Sequence, residues 1–110
     1  MSYVDGFLLP VSKKKLPAYL KMANLAKKVY KDHGVLEYRE CVGDDLAIKG
    51  VLGFPKVIKT KPTETVVFAW IVYKNRKHRD AVNKKVMSDP RLACMMDMKD
   101  PPFDFKRMAM

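Results

Sequence analysis

Any chemistry in this chain falls to carboxylates and arginines, with Asp5 the foremost candidate for a catalytic acid or base. It lies in Tyr3-Val4-Asp5-Gly6-Phe7, and in a strand Tyr3, Asp5 and Phe7 share one face. A carboxylate buried beside aromatic rings has its charged form disfavoured unless a cation or several donors compensate. In a cavity such a group can act as a general base. The competing role is a structural ion pair with Arg79, Arg91 or Arg107. Arg79 and Arg91 are also candidate ligand-binding residues, because an inward guanidinium can hold a carboxylate through two parallel hydrogen bonds. Tyr3 and Trp70 are candidate ring contacts for the same ligand, against a plainer role in core or interface.

The other reactive side chains point to structural roles. Asp44-Asp45 follows Gly43, and adjacent acids after a glycine suit a turn. A divalent cation there would need further oxygen ligands. Cys41, Cys94, His33 and His78 are scattered without zinc spacing, so no metal site is expected. Cys41 reads as a buried, inert thiol within a strand. His33 precedes Gly34, where an imidazolium suits the negative end of a helix. His78 falls at the margin of a packed helix face. No glycine-rich phosphate loop, nucleophile elbow or zinc motif occurs, which excludes the nucleotide-dependent and hydrolase classes. No cofactor is expected.

These residues are positioned by a readable order of elements. Residues 3–11 form a strand that is mainly apolar on both faces. A helix starts near Lys14–Leu16, with Pro17 tolerated only in its first turn. Tyr19, Met22, Ala26 and Val29 make its packed side, and Gly34 is the natural stop. A second strand spans Val35–Val42, and a long loop with a short extra strand follows through Gly50, Gly53, Pro55 and Pro62. Thr65–Tyr73 is β-branched and aromatic on both faces, as a covered central strand should be. Asn75 caps a helix running to about Met87, and Asp89-Pro90 starts a shorter one with Leu92, Met95 and Met96 on its apolar side. Asp100-Pro101-Pro102 ends that helix, and a final short strand is expected in 103–110.

The order predicts one α+β domain over residues 1–110, a ferredoxin-like split βαβ unit with an antiparallel sheet. Both helices would then cover one sheet face. The other face of the two-sided strands would be a large apolar patch, and a second subunit is the simplest cover. With 48% hydrophobic residues among 110, the chain can build a core without disulfide or metal. No run approaches a membrane span, and the expectation is a reduced, cytoplasmic protein without a membrane partner. The formal charge of +10, from 22 basic and 12 acidic side chains, favours polyanions, yet the basic residues occur in every segment.

Several motifs together resemble one family. They are Tyr3-Val4-Asp5-Gly6-Phe7, Glu40-Cys41 with Asp44-Asp45, and Thr65-Val66-Val67-Phe68 with Trp70. Arg79-Asp80, Met87-Ser88-Asp89-Pro90-Arg91, Pro102-Phe103-Asp104 and Lys106-Arg107-Met108 complete the set. With them the chain resembles the YbaA-like bacterial proteins of unknown function, placed among the dimeric α/β-barrel proteins. The resemblance implies ferredoxin-like subunits paired through their sheets, and it implies no reaction. Relatives continue into a glycine-rich final strand, so a short last strand is expected here. Two functional expectations result. One is a homodimer binding a small organic ligand between sheet and helices, with or without turnover. The other is a non-enzymatic nucleic-acid-associated basic protein, and the dispersed charge makes it the less favoured.

Overall fold

The computed structural model describes residues 1–96 and 99–110, Met96 by its backbone alone. The strand β1, Tyr3–Ser12, runs antiparallel to β3, Glu64–Tyr73, which in turn pairs antiparallel with β2, Glu37–Val42. The sheet order β1-β3-β2 puts the most β-branched and aromatic strand in the middle, where two ladders satisfy its backbone. Asp5 lies opposite Ile71 and Phe7 opposite Ala69, while on the other flank Tyr38 meets Ile71 and Glu40 meets Ala69. One sheet face therefore carries Asp5, Phe7, Leu9, Tyr38, Glu40, Ala69, Ile71 and Tyr73.

Helices cover that face. After a 3₁₀ turn at Lys13–Lys15, α1 spans Leu16–Asp32 with Pro17 in its first turn and buries Tyr19, Ala23 and Val29. It stops where expected, with Gly34 at φ +98°, a left-handed conformation that glycine adopts without penalty. Asn75 caps α3, Arg76–Met87, by accepting a hydrogen bond from the His78 backbone N–H at 2.8 Å. Val82 and Val86 of α3 join Val29, Val35, Tyr38, Ile71 and Tyr73 in one core cluster. A second cluster gathers Leu9, Val11, Tyr19, Ala23 and Val67. The α+β class is thus the one expected, with both long helices on one side of an antiparallel sheet.

Two local expectations are corrected. The segment between β2 and β3 holds no extra strand but a one-turn helix, α2, at Phe54–Val57. Pro55 fixes a helical φ and lacks only a donor that a first helical turn leaves unpaired anyway. The C-terminal residues make a 3₁₀ turn at Phe105–Arg107 in place of a strand, and only Ala109 bridges to Leu8. Asp104 caps the turn by accepting from the Lys106 N–H at 3.0 Å, and Arg107 is drawn back to Glu64 by two bonds of 2.6 and 2.8 Å.

Part of the outer sheet face is open within one chain, while Pro10 and Val66 on it are buried and the Phe54 ring of α2 stacks on that of Phe68 at 5.8 Å. Val4 is 53% exposed and Phe68 39%, although both lie on strands expected to be covered on both sides. No helix among the described residues is long and apolar enough to cross a membrane.

Candidate functional site

Between the helices and the inner sheet face lies a cavity of about 300 Å³. Its floor is made by Asp5, Phe7, Glu40, Ala69 and Ile71, and its roof by α1 side chains including Tyr19, Met22 and Ala26. Leu92 and Met95 of α4 (Pro90–Met96) and Phe103 and Met108 close its sides. The space has a local cause. Ala69 is the smallest side chain on the floor, and it stands between Phe7 and Glu40 in the register. A larger residue there would fill the middle of the sheet face.

Glu40 is the polar centre of the cavity. Its Oε2 accepts a hydrogen bond from the Tyr19 hydroxyl at 2.7 Å, and its Oε1 accepts from the Tyr38 hydroxyl at 2.8 Å. Both tyrosines are buried, at 2% and 7% exposure. Burial pushes the Glu40 carboxyl above its ordinary value, and the two hydroxyls pull it back only in part. Burial, followed by the neighbouring Glu40 charge, drives both phenols well above theirs, so they remain donors. Among the described residues no cationic side chain forms an ion pair with Glu40.

Asp5 also lines the cavity, but its charge is matched. Arg79 Nη1 donates to Asp5 Oδ1 at 2.8 Å, and Arg79 Nε donates to Asp80 at 2.7 Å. The guanidinium carbon lies 5.1 Å from the centre of the Tyr3 ring, a cation–π contact. Asp80 and then Asp5 raise the Arg79 pKa, so the cation is permanent. Burial and then Asp5 raise the nearby Tyr30 hydroxyl. Of the alternatives open for Asp5, the structure contains the ion pair with Arg79.

The remaining candidates lie elsewhere. Trp70 is on the outer sheet face, opposite Gly6 and Arg39 and with its ring 5.5 Å from that of Phe68. Arg91 bonds Asp89 and Asp32, and His33 bonds Asp89 at 2.9 Å, so this cluster ties the end of α1 to the start of α4. Arg91, followed by His33, holds the Asp89 carboxyl far below the usual range. His78 accepts at Nδ1 from the Lys74 N–H. Asp44 and Asp45 are exposed, and among the described residues no three His, Cys, Asp or Glu side chains gather as a metal site would require. Cys41, expected to be buried, is exposed, because the strand alternation that turns Tyr38 and Glu40 inward turns Cys41 outward. Cys41 and Cys94 are both free.

Sequence reasoning missed Glu40 as a site residue. The signal was available in the period-2 spacing of Tyr38 and Glu40, since whichever face takes the tyrosine takes the acid too.

The fold and cavity define an α+β protein with an apolar chamber between its sheet and helices and a hydrogen-bonded carboxylate inside it. Residues 2–105 match the family described as "Protein of unknown function (DUF1428)", and the chain belongs to that family. The "Uncharacterized protein YbaA" of Escherichia coli strain K12 is 42% identical over 108 residues, which is 98% of this chain and 91% of that relative. The protein of the same name from Shigella flexneri gives the same values. The YbaA-like resemblance carried by the motifs is therefore a family membership.

Proposed function

We propose that the protein is a homodimer that binds a small, apolar-bodied organic ligand in the cavity between sheet and helices. The observation that carries this reading is the cavity itself. Its volume of about 300 Å³ is at the lower end of small-molecule sites, and its apolar walls surround few polar groups, as such sites require. Asp5 would serve as a fixed charge held by Arg79, with Tyr3 supporting that pair.

The homodimer draws support from the outer face. Val4, Phe68 and Trp70 there are flanked by Phe54 and Val57 of α2, while Glu37 and Arg39 supply both charge signs on the edge strand β2. A second copy across a two-fold axis would bury the apolar centre, with the Arg39–Glu37 ion pair of each chain, 2.9 Å long, at its edge. Nucleic acid is not the favoured partner. Exposed Lys21 and Lys28 lie on α1, Lys84 on α3, and Lys49 and Lys106 in other segments, so the basic side chains are spread along the chain. The two free thiols fit a reducing compartment, and the cytoplasm is the proposed location.

The test of the cavity uses prodan, a neutral fluorophore. The full chain is expected to bind it saturably with enhanced emission. Ala26→Trp, which fills the roof, is expected to abolish that signal while keeping the helical circular dichroism. Absence of saturable binding in the wild type overturns the reading, as does undiminished binding in a folded A26W. For the dimer, sedimentation velocity at micromolar concentration should give a dimer that Phe68→Glu splits, and a wild-type monomer would refute it.

A further inference from the structure

Two carboxylates line the cavity, and only Asp5 is matched by a cation among the described residues. Glu40 accepts one tyrosine hydrogen bond on each oxygen, although an ionised carboxylate has about four acceptor sites. We propose that the cavity selects an amine, a protonated ammonium on an apolar body, with its charge at Glu40 between Tyr19 and Tyr38. This inference rests on the ligand-binding reading above and narrows it to a chemical class.

Three features favour a cationic head. An ammonium supplies the charge that the Glu40 environment lacks and can donate to the acceptor sites the tyrosines leave open. The negative ring faces of aromatic side chains attract cations, and aromatic rings surround this carboxylate. Tyr19 and Phe103 meet edge to face with centres 5.7 Å apart, and Tyr30 and Tyr38 lie at 5.5 Å. An anionic head, by contrast, would meet Glu40 with no free cation at hand. Arg79 is committed to Asp5 and Asp80, at 2.8 and 2.7 Å. A neutral head could hydrogen-bond but would leave the carboxylate charge unmatched. The methyl and thioether groups of Ala23, Met22 and Leu92 offer the rest of the ligand an apolar surface without further polar demand.

The test compares three probes with one body and different heads, 4-phenylbutylamine, 4-phenylbutan-1-ol and 4-phenylbutyrate, by calorimetric titration of the full chain at pH 7. The amine is expected to bind at least tenfold tighter than the alcohol, with the carboxylate weakest. In Glu40→Gln the amine should lose at least tenfold in affinity and fall to the level that the alcohol shows in the same variant. The wild-type ranking alone decides the matter should E40Q not fold. An alcohol or carboxylate as tight as the amine, or an amine preference that survives in E40Q, overturns the amine assignment. Failure of all three with prodan still bound removes the amine assignment alone, whereas loss of prodan binding as well removes the cavity reading beneath it.

Discussion

Tyr38→Phe removes one hydroxyl and keeps the ring, so the core retains its filling while Glu40 loses the donor at Oε1. A hydrogen bond to a charged group contributes about 1.5–3 kcal/mol, against about 0.5–1.5 kcal/mol for a neutral pair. Where Glu40 is ionised, the expected loss is about 2 kcal/mol. A domain of this size loses about 4–8 °C of Tm per kcal/mol, so the transition should fall by about 8–16 °C. The pH dependence has a definite sign. Burial raises Glu40 above its unfolded value of 4.5, so the native chain binds this proton more tightly than the unfolded one. The contribution of Glu40 to stability is then fully present below pH 4.5 and is lost as the pH rises through the raised native value. Removing a donor raises that native value further, so the deficit of the variant opens over the same window. At pH 4 only the neutral hydrogen bond is missing, and about 1 kcal/mol should remain. Urea unfolding followed by circular dichroism at pH 4 and pH 7, with unchanged m-values, measures both numbers. Equal losses at the two pH values, or a loss below about 0.5 kcal/mol at pH 7, would refute the description of Glu40 as a half-buried anion held by two phenols.

Arg107 should govern the acid limb of stability. Its hydrogen bonds hold Glu64 at about 2 instead of 4.5, so this group stabilises the fold above pH 4.5 and ceases to do so as the pH falls toward 2. Arg107→Gln is expected to flatten the stability–pH slope in that window, and an unchanged slope would exclude the pair as its source. Asn75→Ala removes the cap that accepts from the His78 N–H and should cost about 1 kcal/mol by chemical denaturation, with Asn75→Gly costing less. At Gly34 there is room for a Cβ but φ is +98°, so Gly34→Ala should cost about 1–2 kcal/mol from backbone strain alone. A neutral result in a thermal melt would contradict that.

What could be read in advance follows the range of the interaction responsible. Pro17, Gly34 and Asn75 punctuate the helices through forces acting within a few residues, and each does in the structure what its type requires. The run Thr65–Tyr73 announces a central strand because β-branched and aromatic side chains suit a pleated surface with neighbours on both edges. The turn at Phe105–Arg107 was not legible. Arg107 is held there by Glu64, 43 residues away, and local composition alone leaves the segment free to extend. Cys41 was misplaced for a similar reason, since a strand of mixed polarity does not reveal which of its faces is inward until its partner strand is known.

The cavity depends on three strands at once. Phe7, Ala69 and Glu40 become neighbours only through the register of β1 with β3 and of β3 with β2, and the small Ala69 matters only because larger groups flank it. Read in sequence, Ala69 is one apolar residue in a strong strand and Glu40 an acid near a turn. The same cross-strand geometry alters the expected chemistry. Arg79 and Arg91 suggested an anionic ligand as long as their partners were unknown. Once Arg79 is bonded to Asp5 and Asp80, and Arg91 to Asp89 and Asp32, neither guanidinium is free to receive one. The unmatched charge inside the cavity is then negative, on Glu40, and its sign requires that a ligand seated there bring a positive charge or hydrogen-bond donors.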